Sequence, residues 1–207
     1  MKDIKGIDKI GISKIGDSEV SVDNPTNYPL IGKGKHGAVF KLSSKKCVKV
    51  FYRDGLAKKE SDVYKNVGES NLLPRIYQVG DNYIVMEYIP GRSLNDMILD
   101  EEVEQLPSSI VKKVIEMMKE MKRLGFSRLD VTASHLIITA KGDFKLIDHE
   151  NSMSKHQPYP ARLFNRLRRY NKLQSFLKQV RDIDKSIYLE WKALAPDYFE
   201  IQKGKSN

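Results

Sequence analysis

Three glycines spaced G-x-G-x-x-G (Gly32, Gly34 and Gly37) sit inside a run of strand-forming residues. Tyr28-Pro29-Leu30-Ile31 precedes them, and Ala38-Val39-Phe40-Lys41-Leu42 follows, turning at Ser43-Ser44. A further β-branched run comes next, Cys47-Val48-Lys49-Val50-Phe51. In a dinucleotide-binding unit the same triplet should open a helix. Here it opens a strand, so the order is strand, glycine turn, strand, strand. That order describes a flap whose backbone N–H groups can approach a phosphate without side-chain obstruction. A plain hairpin with turn glycines is the alternative.

Lys49 falls in the middle of the third strand. By the two-residue period, Val48 and Val50 share one face, and Cys47, Lys49 and Phe51 share the other. An ammonium on a half-buried face needs an anionic partner. Glu60 is the best candidate, with an edge-strand lysine pointing to solvent as the alternative. Glu60, Tyr64 and Val67 recur at helical spacing within residues 56–67, and Gly68 is placed to end that helix. Before the glycines, residues 1–17 alternate Lys, Ile and Gly, with Ile-Gly at Ile10-Gly11 and Ile15-Gly16. With a strand at 19–22, they are expected to form a lead-in covering the sheet.

Two further strands are expected at Ile76–Val79 and Tyr83–Met86, joined by a turn at Gly80-Asp81-Asn82. Pro90-Gly91 then breaks regular structure, as a linker between two lobes does. Beyond it, helical patterns replace strands. Pro107-Ser108-Ser109 is read as the cap of an amphipathic helix carrying Ile110, Val114, Met117, Met121 and Leu124, ended by Gly125. Leu136–Ile138, a turn at Lys141-Gly142-Asp143 and Phe144–Ile147 then read as a hairpin, which leaves Asp130 and Asp148 at its opposite ends. One acid could meet a hydroxyl proton while the other holds a divalent cation; solvated turn acids are the bland alternative. Leu163, Leu167, Tyr170, Leu173 or Gln174, Leu177 and Val180 give one helical stripe, with Arg162, Arg166, Arg168, Arg169, Lys172 and Arg181 on the remaining faces. These are read as a solvated basic face, or else as a dock for an acidic substrate, a nucleic acid or an anionic membrane surface. Residues 188–195 suggest another helix, stopped near Pro196 and anchored by Trp191.

Composition narrows the class. The chain has 207 residues, a net charge of +9 and one cysteine, which excludes an internal disulfide. No apolar run approaches the ~20 residues needed to span a bilayer, and the first residues lack a signal-peptide core, so a cytoplasmic location is expected. From Met153 onward there are 12 Lys and Arg against 5 Asp and Glu, so +7 of the +9 lies there. An anionic partner, if any, belongs to that region.

Taken in order, these motifs resemble the protein-kinase-like superfamily, and most closely the short bacterial serine/threonine-kinase-like proteins. The resemblance implies an α+β fold with two lobes: a small antiparallel-sheet N-lobe (1–88) and a reduced, mainly helical C-lobe (89–207), together one kinase-like domain. It implies ATP bound by Ile31, Gly32, Gly34, Gly37, Val39 and Lys49, with Glu60 as the partner of Lys49. The Glu87 carbonyl and the Ile89 N–H would read the adenine edge. Asp130 is similar to the catalytic aspartate and Asp148 to the magnesium-binding one, 18 positions apart. ATP and Mg2+ are the implied cofactors, with Mn2+ as the alternative metal.

The pattern departs from the family at several points. His135 stands five positions after Asp130, where the family has a metal-holding Asn; imidazole suits transition metals better than Mg2+. His135 is therefore a candidate metal ligand, with positioning of Asp130 or a purely structural role as the alternatives. Arg128-Leu129 replaces the usual His-Arg, which argues against control through an activation-loop phosphate. His149-Glu150 replaces Phe-Gly, and this acid is similar to that of small-molecule kinases such as aminoglycoside phosphotransferases. Only 57 residues follow Glu150, without an Ala-Pro-Glu segment, so a reduced helical lobe is expected. The expected activity is transfer of the ATP γ-phosphate to a protein Ser or Thr hydroxyl. A pseudokinase and a small-molecule or lipid-saccharide kinase are the rivals. The expected partner is a protein substrate, acidic in character and met by the basic C-terminal helix. Nucleic acid rests on tail charge alone.

Overall fold

A computed structural model describes residues 6–14, 16, 19–68, 70–148 and 156–200. The chain divides into two compact units, Met1–Ile89 and Pro90–Asn207.

In the first unit, β1 (Gly11–Ser13) and β2 (Ser21–Asp23) pair as an antiparallel ribbon. β3 (Leu30–Lys33), β4 (Gly37–Lys41), β5 (Lys46–Phe51), β6 (Ile76–Val79) and β7 (Tyr83–Glu87) form an antiparallel sheet in the order β3-β4-β5-β7-β6. The period of β5 sends its side chains to two apolar clusters. Val48 and Val50 join Ala38, Phe40 and Val85, covered by Ile7, Ile10 and Val20 of the lead-in. Cys47 and Phe51 join Ile84 and Met86, covered by Leu56 and Ala57 of α1 (Leu56–Val67). Because both faces are buried, β5 reads as a nearly unbroken apolar run, with Lys49 as its one interruption. Gly68 ends α1 at φ 71°, donating its N–H to the Tyr64 carbonyl at 3.1 Å, a backbone conformation that favours glycine. Ile15 of the Ile-Gly pair lies outside the described residues.

The second unit contains β8 (Gly91–Ser93), α2 (Leu94–Leu99), α3 (Ser108–Arg123), β9 (Leu136–Thr139) and β10 (Phe144–Leu146). After these come α4 (Ala161–Arg169), α5 (Leu173–Ile183) and α6 (Lys185–Leu194). The strands pair in the order β10-β9-β8. The helical core gathers around Phe164, which meets the Trp191 ring edge-on at 5.4 Å and Phe176 at 6.3 Å. Such edge-to-face pairs add about 0.5–1.5 kcal/mol each beyond the area they bury. The α+β class is thus observed, with an antiparallel sheet in the N-terminal unit and mainly helices in the C-terminal one.

Several local expectations change. Gly91 does not break regular structure: it starts β8, and a Cβ there would lie 2.1 Å from the Ile138 carbonyl oxygen. Its smallness permits strand pairing. α2 has a reciprocal cap, the Ser93 hydroxyl accepting from Asp96 N–H and the Asp96 carboxylate from Ser93 N–H. Ser108, by contrast, does not cap α3; its hydroxyl donates to Gln179 Oε1 at 2.7 Å. The single stripe over 163–180 is two helices, broken where Asn171 takes φ 56°. Lys172 is not on a solvated face. It is buried, and its ammonium donates to the carbonyls of Ile98 and Asp100 at 2.6 and 2.9 Å, satisfying the end of α2.

Candidate active site

Each unit carries its own set of chemically suggestive residues. In the first, Lys49 lies opposite Val39 on one side and Ile84 on the other, so its strand is central and the edge-strand alternative falls. Its Nζ stands 2.6 Å from Glu60 Oε2, with the two side chains 10% and 1% exposed. The Phe51 ring centroid lies 5.1 Å from the same nitrogen. Burying either charge alone would be strongly unfavourable, so each is the condition for the other.

None of the three glycines of the flap takes a left-handed backbone, so their role is smallness. Gly37 is needed for packing, since a Cβ there would lie 2.2 Å from the Val50 carbonyl oxygen. Gly32 and Gly34 differ: a Cβ on either would meet no atom within 4 Å. Their bare backbone faces open space. The turn is tied across itself by Gly34 N–H to the Gly37 carbonyl at 2.9 Å, and to the lead-in by Val20 N–H to the Gly34 carbonyl at 3.0 Å. Ile31 is exposed, and Val39 is half-buried against the cluster around Phe51. At the end of β7, Glu87 N–H donates to the Arg75 carbonyl at 2.8 Å and the Glu87 carboxylate accepts from Arg75 N–H at 3.1 Å. Cys47 Sγ points at the Glu87 carbonyl, 3.6 Å away. Burial, and secondarily the Glu87 charge, push the Cys47 thiol up to about 12. Ile89 is the last residue of this unit.

In the second unit the two acids are not at opposite ends of the hairpin. Leu136 pairs with Leu146, so the open end of the antiparallel pair receives both the segment from Asp130 and the one leading to Asp148. Ile147 N–H donates to the His135 carbonyl at 2.9 Å, closing that end. His135 Nε2 and Asp148 Oδ2 are 3.8 Å apart, too far for a hydrogen bond. Asp148 takes φ 55°, a conformation that costs a non-glycine residue free energy and concentrates at functional positions. Among the described residues, no group of three or more His, Cys, Asp and Glu could hold a metal ion. The Asp148 carboxylate suits Mg2+, which is commonly held by one or two carboxylates and otherwise by water and phosphate oxygens. His149 and Glu150 lie outside the described residues.

Asp130 is held more tightly than the sequence suggested. Arg162 N–H donates to its Oδ1 at 2.6 Å, and Arg128 Nη2 to its Oδ2 at 3.1 Å. Arg162 Nε lies 3.2 Å from the same Oδ2, while Arg162 Nη1 donates to Thr132 Oγ1 at 3.2 Å. The local sequence signalled neither Arg162 nor Thr132; Pro160 marks where α4 starts but not where its first turn aims. Three other arginines of the expected basic surface have individual partners. Arg166 donates to Asn95, Arg168 to the Asp197 carbonyl and Arg181 to Asp182.

A family model described as the ABC1 atypical kinase-like domain matches residues 56–167. This span contains Glu60, Asp130, His135, Asp148 and Arg162, and begins after the glycine flap and Lys49. The chain is 31% identical over 124 residues to YrzF of Bacillus subtilis (strain 168), whose name provisionally makes it a serine/threonine-protein kinase; this covers 58% of the chain and 57% of that protein. It is 26% identical over 168 residues to the serine/threonine-protein kinase CBK1 of Candida albicans, covering 72% of the chain and 23% of that protein. It is also 26% identical over 132 residues to mitogen-activated protein kinase kinase 10 of Arabidopsis thaliana, covering 58% of the chain and 43% of that protein. The chain thus spans little over half of the first relative and less than half of the other two. Among the described residues no helix is long and apolar enough to cross a membrane. With more than half of its length matched, the chain belongs to the ABC1 atypical kinase-like family.

Proposed function

We propose that the chain transfers the γ-phosphoryl group of ATP to a Ser or Thr hydroxyl of a protein. The observation that carries this reading is the sealed Lys49–Glu60 pair, which holds a cation on a central strand beside an open glycine backbone. Phosphoryl transfer asks a protein mainly for positioning and charge neutralisation. Lys49 would orient the phosphates, and the backbone of the turn at Gly32 and Gly34, which carries no side chain there, would let them approach closely, Gly34 N–H itself being committed to the Gly37 carbonyl. Ile31 and Val39 would border the nucleotide, and the Glu87 carbonyl and Ile89 N–H would bind the adenine edge. Asp148 would hold Mg2+, or Mn2+, with His135 as the neighbouring candidate ligand. A bound divalent cation would supply neutralisation of phosphate charge during transfer. Asp130 would take the proton of the acceptor hydroxyl.

The test is transfer of labelled γ-phosphate to the protein itself, a generic basic protein and a cell extract, with Mg2+ and Mn2+ in parallel. Asp130→Asn should lower transfer by about 10²–10⁴-fold, the usual contribution of a general base, while leaving nucleotide binding in place. Undiminished transfer by that variant would sink the assignment. Lys49→Ala should impair phosphate alignment and transfer together. A second reading, a nucleotide-binding regulatory module, is favoured by one observation: Asp130 is engaged by two guanidiniums. An ATP-dependent rise in melting temperature without transfer to any acceptor would select it.

A further inference from the structure

The chain returns to the residues preceding Asp130 before α4 begins. Gln157 N–H donates to the Ser127 carbonyl at 3.0 Å, and Leu129 N–H to the Gln157 carbonyl at 2.7 Å. This pairing delivers the first turn of α4, and with it Arg162, to Asp130. The Asp130 side chain is 9% exposed, that of Arg128 18% and that of Arg162 55%. A carboxylate offers about four lone-pair sites. Two are taken by hydrogen bonds, and the Arg162 Nε crowds a third. Two guanidiniums therefore converge on one carboxylate and leave one positive charge in surplus among these three side chains. The two clamps are not equivalent. Arg128 is mostly enclosed, whereas the Arg162 head is half in solvent and rests against the Thr132 hydroxyl.

An acceptor that offers its hydroxyl to Asp130 Oδ2 must move the Arg162 head aside, since Arg128 Nη2 and Arg162 Nε both face that oxygen. That displacement leaves a cation without its carboxylate unless the acceptor brings an anion. We propose that Arg162 is an exchangeable clamp, and that the acceptor is a peptide segment with an acidic residue beside its Ser or Thr. The acid takes the Arg162 guanidinium in a charge-assisted, two-point contact, and an oxygen of Asp130 is released for the hydroxyl proton. The acceptor O–H bond then breaks, its proton passing to Asp130. Its oxygen bonds to the γ-phosphorus as the bond to the β–γ bridging oxygen breaks, and ADP leaves with that electron pair. The proposal rests on the assignment of Asp130 as base. It also relocates the expected acidic partner from a broad basic helix to one residue.

The experiment uses the full chain, labelled ATP and two peptides with a single Ser, flanked by Glu in one and by Gln in the other. Wild type should prefer the Glu peptide by about tenfold in kcat/KM, roughly the effect of one charge-assisted contact. Arg162→Ala should erase that preference and raise the rate on the Gln peptide, because Asp130 is no longer covered. Arg162→Lys, a point charge without the planar fork, should keep part of it. The Arg162 backbone N–H still reaches Asp130 in both variants, so the start of α4 stays tied. Asp130→Asn should lower transfer to both peptides alike, by the same ~10²–10⁴-fold expected of a general base. Equal wild-type rates, or a preference that survives Arg162→Ala, overturn the proposal. So does a parallel fall of both rates with the melting temperature, the mark of a structural tie. Absence of wild-type transfer to either peptide overturns it too, and an ATP-dependent thermal shift then shows whether nucleotide binding still stands.

Discussion

The two units hold their key charges in opposite ways. In the first, Lys49 and Glu60 are sealed, and neither can find water if the other is removed. In the second, Asp130 is enclosed but its partner Arg162 is half in solvent, so that the cation can change partners at little cost. A sealed pair fixes geometry; a half-open pair permits exchange. The first suits a cation that must always point the same way. The second suits a contact that is made and broken in each turnover.

That contrast can be broken most forcefully at Glu60. Glu60→Ala leaves a buried ammonium without its carboxylate and should cost about 3–5 kcal/mol in urea denaturation. Replacing both members by apolar residues of similar size should restore most of that stability, because desolvation of the pair disappears with it. The restored protein should nonetheless fail to transfer phosphate, which would show that the pair is kept for its chemistry. The glycine flap offers the next effect. Gly37→Ala drives a methyl into the Val50 carbonyl and should cost about 1–3 kcal/mol, whereas Gly34→Ala enters open space and should stay within about 0.5 kcal/mol. Thermal melts distinguish the two, and only the second variant leaves a fold in which ATP affinity can be compared with wild type.

Asp184 provides an intermediate case. Its carboxylate caps α6 by accepting from Ser186 and Ile187 N–H, and it also pairs with Lys119. The Lys119 hydrogen bond, then the Ile187 N–H, hold the acid below its ordinary value of 3.8. Asp184→Ala should cost about 1 kcal/mol at neutral pH. A lowered folded value means that this stabilisation is complete above 3.8 and is lost as the pH falls through the folded value. The gap between wild type and variant should therefore close in melts taken progressively below pH 4. Arg162→Ala should have the smallest effect, about 0.5 kcal/mol or less, since its side-chain contact is largely solvated and its N–H remains. A loss as large as that of Glu60→Ala would erase the contrast between the units.

What the sequence made legible was local. The alternation in β5, the helical spacing from Glu60 to Val67 and the turn at Gly142 each depend on neighbours a few residues away. β8 was missed because Gly91-Arg92-Ser93 is too short and polar to announce a strand; it exists because β9 is there to pair with it. Lys172 was assigned to solvent because a lysine on a helical pattern usually belongs there. Its burial depends on the end of α2, some seventy residues earlier. The break at Asn171 needed a left-handed residue that asparagine only sometimes supplies. The same holds at the candidate site. The positions of Lys49, Glu60, Asp130 and Asp148 could be argued from pattern, while the contact of Arg162 with Asp130 joins positions 32 apart and leaves no periodic trace.

Cys47 is the only thiol in the chain, buried on the strand that also carries Lys49, and held in its unreactive protonated form far above neutral pH. An alkylating reagent can therefore reach it only while the sheet around β5 is open. The rate of labelling becomes a clock for that opening, read by mass spectrometry on the unmodified protein. Nucleotide that stabilises the closed sheet should slow the clock in proportion to the fraction of time it keeps β5 covered.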